Sequence, residues 1–133
     1  MRVAVGSMLS VIGLAACGGS SPMSANGGSN QTLTMVDYSF SPAAKTIKAG
    51  TTVKWENTGT TSHTATSDAS VSPAFDSGSL AAPGTTMDPY TGGTMKTSGG
   101  SYSMTFSAPG TYTYHCTFHG TSNNMKGTIT VTP

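Results

Sequence analysis

The sequence predicts an all-β domain, a sandwich or barrel of about seven or eight short strands. Charged residues make up only 8% of the chain and Gly occurs 17 times, which is poor material for surface helices. Several short segments alternate polar and apolar residues with a period of two, and turn residues separate them. At 133 residues the chain is long enough for one compact domain and too short for two with separate cores.

The first 17 residues read as an export signal that ends at Cys17. Arg2 supplies a positive end, and an apolar stretch follows that is shorter than the roughly 20 residues needed to span a bilayer. Residues 14–17, Leu-Ala-Ala-Cys, resemble the bacterial lipobox, whereas the alternative is an ordinary cleaved signal in which Cys17 is incidental. We therefore expect an exported protein, periplasmic or extracytoplasmic, held to a bacterial membrane through lipid on Cys17.

The stretch after the signal has the composition of a flexible linker, because residues 18–30 are rich in Gly and Ser. The folded domain is then expected over residues 31–133. The six basic residues exceed the five acidic ones by one, so nothing indicates a nucleic-acid partner, and we expect a monomer. With two cysteines in the chain and one of them at the lipobox, a disulfide framework is excluded by counting.

Seven segments alternate or are rich in β-prone residues, and we predict them as strands: 32–36, 45–48, 52–57, 63–66, 102–106, 111–114 and 126–132. The alternation in the third places Val53 and Trp55 on one face, and we interpret Trp55 as core. His63 is expected at a strand entrance. The turn signal Ala-Pro-Gly at 108–110 predicts a hairpin that leads directly to Cys116.

A long segment, residues 67–100, shows no sustained periodicity. A loop of this length is usually functional, partly disordered, or contains short unrecognised strands. Met87 and Met95 lie in it eight residues apart, and we expect them to pack the loop.

The loop between the last two predicted strands carries Cys116, His119 and Met125 within ten residues. A thiolate, two imidazoles and a long, weak thioether contact are the ligands of a blue-copper site, because soft sulfur suits Cu(I) and imidazole accommodates both oxidation states. The loop lacks one imidazole, which His63 can supply. His115 precedes the cysteine on a strand and should point to the opposite face, so we do not predict it as a ligand.

These segments resemble the cupredoxins of the plastocyanin, pseudoazurin and amicyanin kind, over about residues 31–133. The likeness rests on the stretches 40–42, 47–57 and 63–66 before the first histidine, and on 109–116, His119 and 125–129 around the cysteine. It implies a Greek-key sandwich that binds one type 1 copper ion. The ligands it implies are His63, Cys116, His119 and Met125.

Two features depart from the family pattern. Five residues separate His119 from Met125, more than in short-loop members, and Met125 can also be read as core packing at a strand start. Residues 85–98 look like extra sequence that either caps the site or is merely tolerated.

The resemblance also suggests that the Thr64 amide and Asn57 support the ligands.

The resemblance implies a single-electron carrier, not an enzyme, whose copper cycles between Cu(II) and Cu(I) and which docks to redox partner proteins around His119. The alternative is a periplasmic copper carrier or chaperone without redox cycling. A cysteine-dependent hydrolase is disfavoured, because no helix N-terminus is available to activate Cys116. A structural zinc site is disfavoured because methionine is not among the usual zinc ligands.

Overall fold

A computed structural model of the protein describes residues 29–133. The expected export signal, Cys17 and the linker up to residue 28 lie outside the described residues. The strands are β1 (Gln31–Val36), β2 (Ser39–Ser41), β3 (Ala44–Lys48), β4 (Thr51–Asn57), β5 (Thr66–Ser67), β6 (Gly84–Met87), β7 (Thr94–Thr97), β8 (Ser101–Phe106), β9 (Gly110–His115) and β10 (Lys126–Thr132). Over this range no helix has the length and apolar character needed to cross a membrane.

Eight of the strands form two four-stranded sheets. The first has the order β2-β1-β4-β8 and the second the order β3-β10-β9-β5, while β6 and β7 form a separate two-stranded hairpin. The pairs β1 with β4 and β3 with β10 are parallel, and the other pairs are antiparallel. The predicted all-β sandwich is confirmed.

The core lies between the two sheets and is centred on Trp55, which is fully buried. Residues buried on β4 alternate with more exposed ones, as the period-two pattern predicts for a sheet with one face on the core. Four aromatic rings lie with their centroids 5.5 to 6.1 Å from the Trp55 ring: Phe75, Tyr102, Phe106 and Tyr114. Trp55 and Tyr114 belong to different sheets, so this cluster joins the layers, and the interpretation of Trp55 as core is confirmed.

The expected hairpin before Cys116 is wrong. β8 pairs with β4 in the first sheet, whereas β9 pairs with β10 and β5 in the second. The chain therefore crosses from one sheet to the other at the Pro-Gly turn. Alternating strands on both sides of a turn look the same in sequence whether they pair with each other or pass to opposite sheets, so local pattern could not distinguish the two arrangements.

The segment 63–66 is also less regular than expected. His63 forms an isolated bridge with Leu80, and the paired strand β5 covers only Thr66–Ser67. A short strand that was not predicted, β2, lies between the segments 32–36 and 45–48, and its pairing with β1 forms a hairpin. The connection between them is the two-residue turn Asp37-Tyr38.

The extra segment forms the exposed hairpin of β6 and β7. Met87 and Met95 are 72% and 50% exposed, so the expectation that they pack the loop is wrong. Met87 opposes Thr94 and Met95 opposes Thr86, which places the two methionines on opposite faces of the hairpin. They therefore do not form a pair of sulfur ligands.

Candidate metal centre

Three of the predicted ligands meet at one place. The Cys116 Sγ lies 3.9 Å from the His63 Nδ1 and 3.5 Å from the His119 Nδ1, and the two Nδ1 atoms are 3.2 Å apart. Ligand atoms sit about 2.0 to 2.3 Å from a first-row metal ion, so a triangle of this size fits around one ion. Among the described residues this is the group of His, Cys and carboxylate side chains that could hold a metal.

The donor set selects the kind of metal. One thiolate and two imidazoles in a trigonal arrangement, with a weak axial sulfur or oxygen, are diagnostic of a blue-copper site. Cys116 is free and fully buried, and His63 is also fully buried, whereas His119 is partly exposed. The site therefore has a dry interior and one imidazole that reaches toward the surface.

His63 is held on a rigid backbone. Its N–H donates to the Leu80 carbonyl at 3.1 Å, and its carbonyl accepts from the Leu80 N–H at 2.8 Å. The buried Asn57 amide donates to the carbonyls of Leu80 and Thr61, both at 2.8 Å, and its Oδ1 accepts from the Gly59 N–H at 3.0 Å. Asn57 therefore supports the site, as expected, but it acts on the backbone around His63 and not on the imidazole.

The second ring nitrogen of His63 faces two side-chain oxygen atoms that do not belong to the loop from Cys116 to Met125. Its Nε2 lies 3.3 Å from the Thr61 hydroxyl and 3.8 Å from the Asp37 Oδ1. Burial, followed by repulsion from His119, lowers the pKa of His63, and Asp37 opposes this shift. The neutral imidazole that results is the form that binds a metal ion.

Thr64 connects the histidine segment to the cysteine. Its N–H donates to the Cys116 Sγ at 3.4 Å, so the expected role of the Thr64 amide is confirmed. Its hydroxyl also accepts from the Thr117 N–H at 2.9 Å, a contact that the sequence reasoning missed. Nothing in the spacing of these residues signals it, because the two threonines meet only through the tertiary fold.

The loop from Cys116 to Met125 closes on itself through backbone hydrogen bonds. The Cys116 N–H donates to the Met125 carbonyl at 3.0 Å, and the Met125 N–H donates to the His119 carbonyl at 3.3 Å. Asn124 has a φ of 54°, in the left-handed region that Asn tolerates better than most residues. These contacts accommodate the five intervening residues, bring the backbone of Met125 to that of Cys116 and leave Met125 buried.

His115 and the β6–β7 hairpin lie outside these contacts. The His115 Nδ1 is 2.7 Å from the Asp68 Oδ1, and His115 is not part of the three-residue cluster, which agrees with its prediction as a non-ligand. In the described structure, residues 85–98 form no hydrogen bond with His63, Cys116 or His119.

Apolar side chains surround the exposed edge of His119. The Tyr38 ring meets the His119 ring edge to face with centroids 5.0 Å apart, and the Phe118 ring lies 6.3 Å away. Tyr38 and Phe118 are 45% and 53% exposed. We call Tyr38 and Phe118 the His119 rim.

Comparisons with known proteins agree with this geometry. Residues 27–132 match the family described as copper binding proteins of the plastocyanin/azurin family. A solved amicyanin variant in its reduced state is 27% identical, with a TM-score of 0.55 over 77% of this chain and 82% of the amicyanin. A purple cupredoxin from Nitrosopumilus maritimus is 22% identical, with a TM-score of 0.54 over 77% of this chain and 99% of that one, which shows the fold alone.

A copper-containing nitrite reductase from Thermus scotoductus is 28% identical, with a TM-score of 0.60 over 79% of this chain. This chain covers only 23% of that enzyme, so the similarity concerns one part of a larger protein. No curated protein sequence matches the chain.

Proposed function

Because the chain belongs to the plastocyanin/azurin family of copper-binding proteins, we propose that it carries single electrons on one type 1 copper ion that cycles between Cu(II) and Cu(I). The observation that carries the proposal is the triangle formed by a buried thiol and two imidazole Nδ1 atoms, with sides of 3.2, 3.5 and 3.9 Å. In this proposal His63, Cys116 and His119 would hold the ion, and the buried Met125 would supply the weaker thioether ligand.

The chain's own contribution is to hold these groups in one arrangement. When bound, copper supplies the one-electron redox chemistry. The Thr64 N–H stabilises the negative charge of the Cys116 thiolate. The sheet backbone fixes His63, and the closed loop fixes His119. Because the ligands have little freedom to move, a change of charge at the site requires little rearrangement, which favours fast electron transfer.

The proposed route of the electron is the partly exposed His119, and the proposed docking surface for redox partner proteins is the His119 rim. Support comes from the two exposed aromatic side chains beside His119, the partly exposed imidazole of the cluster. With almost no net charge on the chain, docking should depend little on ionic strength. A steep fall in the rate of reduction by a partner between low and moderate salt would contradict this docking mode.

We also propose that the protein is exported and carries a lipid on Cys17. The support is the sequence alone, an apolar leader followed by Leu-Ala-Ala-Cys. Membrane fractions should retain the wild-type protein and lose the Cys17→Ala variant. Equal amounts of both proteins in the membrane fraction would contradict lipid anchoring.

The test of the function is an optical spectrum of the protein loaded with Cu(II), repeated after addition of ascorbate. An intense blue band that bleaches on reduction is expected from a copper–thiolate bond. The Cys116→Ser variant should lose the band. The His115→Gln variant is the matched control, since it removes the imidazole next to Cys116 that bonds to Asp68, and it should keep the band.

The same experiment addresses the alternative, a copper carrier without redox cycling. A wild-type protein with only a weak copper band, or with copper that exchanges quickly and is not reversibly reduced, would favour the carrier. Slow exchange together with reversible bleaching would reject it.

A further inference from the structure

The two-residue turn between β1 and β2 contacts both imidazoles of the site, although it belongs to neither segment that provides the ligands. The Asp37 Oδ1 lies 3.8 Å from the Nε2 of His63. The Tyr38 ring packs edge to face on His119, with centroids 5.0 Å apart. Tyr38 has a φ of 62°, a left-handed conformation that is unfavourable for a bulky residue and tends to persist where the surrounding structure imposes it.

The Asp37 carboxylate is fixed in place. Its Oδ1 accepts from the Thr60 N–H at 2.6 Å, and its Oδ2 accepts from the Thr60 hydroxyl at 2.7 Å. Both oxygens of the carboxylate therefore accept hydrogen bonds, which favour its charged form, and an aspartate is ionised at neutral pH.

The chain also leaves room for this carboxylate beside the imidazole. A Cβ atom at Gly59 would lie 2.5 Å from the Asp37 Oδ1 and 3.2 Å from the His63 Nε2. Any larger residue at position 59 would therefore displace the carboxylate or the ring. Because Gly59 has no side chain, the Asp37 carboxylate can approach the Nε2 of His63.

We propose that Asp37 is a positioning residue whose fixed negative charge, acting through the His63 imidazole, favours Cu(II) over Cu(I) and lowers the reduction potential of the site. This inference rests on the proposed function. A metal-bound histidine commonly donates its free N–H to a carboxylate or other acceptor, which raises the basicity of the ligand. The Thr61 hydroxyl and Asp37 are the groups that face this N–H, and a nearby negative charge stabilises a divalent ion more than a monovalent one.

The test compares the copper-loaded full chain with its Asp37→Asn variant. Asparagine removes the charge and keeps an oxygen acceptor for the Thr60 N–H. Its NH2 group replaces the oxygen that accepts from the Thr60 hydroxyl, and it can donate to that hydroxyl instead. The matched control is Asp88→Asn, because the Asp88 carboxylate accepts from the Tyr90 N–H at 2.8 Å and the Thr91 hydroxyl at 2.6 Å, a similar pattern on the β6–β7 hairpin. Asp37→Ser removes the same charge with a different acceptor and provides a second variant if the first does not fold.

Two readouts are needed, the reduction potential and the separate affinities of the metal-free protein for Cu(I) and Cu(II). Removal of the Asp37 charge should weaken Cu(II) binding by about three- to tenfold relative to Cu(I) binding. A tenfold change corresponds to a rise of about 59 mV for a one-electron couple. Asp88→Asn should change neither the potential nor the affinity ratio, and Asp37→Glu, which keeps the charge, should stay near the wild type.

The outcomes separate this inference from the proposed function. A wild-type protein without a blue band would overturn both. A blue wild type whose potential is the same in Asp37→Asn, or shifts equally in Asp88→Asn, would overturn the role of Asp37 alone. An equal rise in Asp37→Glu and Asp37→Asn would also overturn it, because the effect would then come from hydrogen-bond geometry and not from charge.

Discussion

Replacing Thr64 with valine removes one hydroxyl and keeps the shape of the side chain, so it tests the connection between the histidine and cysteine segments without creating a cavity. The Thr117 N–H would lose its acceptor at 2.9 Å, at a cost of about 1 to 3 kcal/mol. The hydroxyls of Thr66 and Thr117, 3.0 and 3.2 Å from the Thr64 hydroxyl, would lose a partner as well. The Thr66 hydroxyl still donates to Asp76 at 3.0 Å, so the loss of its contact with Thr64 adds little to the destabilisation.

The expected loss is therefore about 2 kcal/mol in the free energy of unfolding, which lowers Tm by roughly 10 °C for a domain of this size. The assay is thermal or urea unfolding of the metal-free protein, followed by the fluorescence of Trp55, the single tryptophan. Thr52→Val is the control, because the Thr52 hydroxyl pairs with that of Thr105 at an exposed position, and it should stay within about 0.5 kcal/mol of the wild type. If Thr64→Val costs no more than Thr52→Val, the Thr64 hydroxyl does not hold the two segments together.

Two further changes test other parts of the structure. In the described structure the buried Tyr114 hydroxyl and the Trp55 Nε1 make no hydrogen bond of good geometry. Burial raises the pKa of Tyr114 to about 12, and the nearby Trp55 side chain opposes this shift. Tyr114→Phe should therefore leave the stability unchanged or raise it by about 1 kcal/mol, and a clear drop in Tm would mean that the hydroxyl has a partner. Hydrogen bonding with Thr113, and then with His115, lowers the pKa of Asp68, so its stabilising effect exists above the unfolded-state pKa and is lost as pH falls through the folded-state pKa. The metal-free Asp68→Asn variant should have a lower Tm than the wild type at pH 6 to 7, with the gap closing toward pH 3; a gap independent of pH would contradict this assignment.

The strands that are easiest to predict are those whose side chains alternate between core and solvent. β4 and β10 have this pattern, and the sequence places both within a residue of their observed bounds. The same pattern does not predict which strands pair, because β8 and β9 both alternate but belong to opposite sheets. The β6–β7 hairpin is exposed along its length, so it has no core face and leaves no periodic signal.

The candidate site could be predicted where chemistry limits the choice of residue. The close spacing of Cys116 and His119 in one loop indicates a metal site, and the fold brings His63 to the same point. The contacts behind the ligands could not be predicted in this way. Asp37 and Tyr38 read only as turn residues, and their proximity to the two imidazoles depends on how β1 lies beside β4 in the first sheet.

The parallel pairing of β3 with β10 has a consequence for how the protein acquires its metal. These strands lie far apart in the chain, and the Thr132 hydroxyl reaches back to the Ile47 carbonyl, 85 residues away. Contacts over such separations carry a high entropic cost of loop closure and make folding slow. The loop from Cys116 to Met125 is closed locally by the pairing of β9 with β10, but His63 lies 53 residues from Cys116 in the chain, so the complete set of ligands is assembled only when such long-range contacts form. We therefore expect copper to enter an already folded chain and not to serve as the nucleus around which the chain folds.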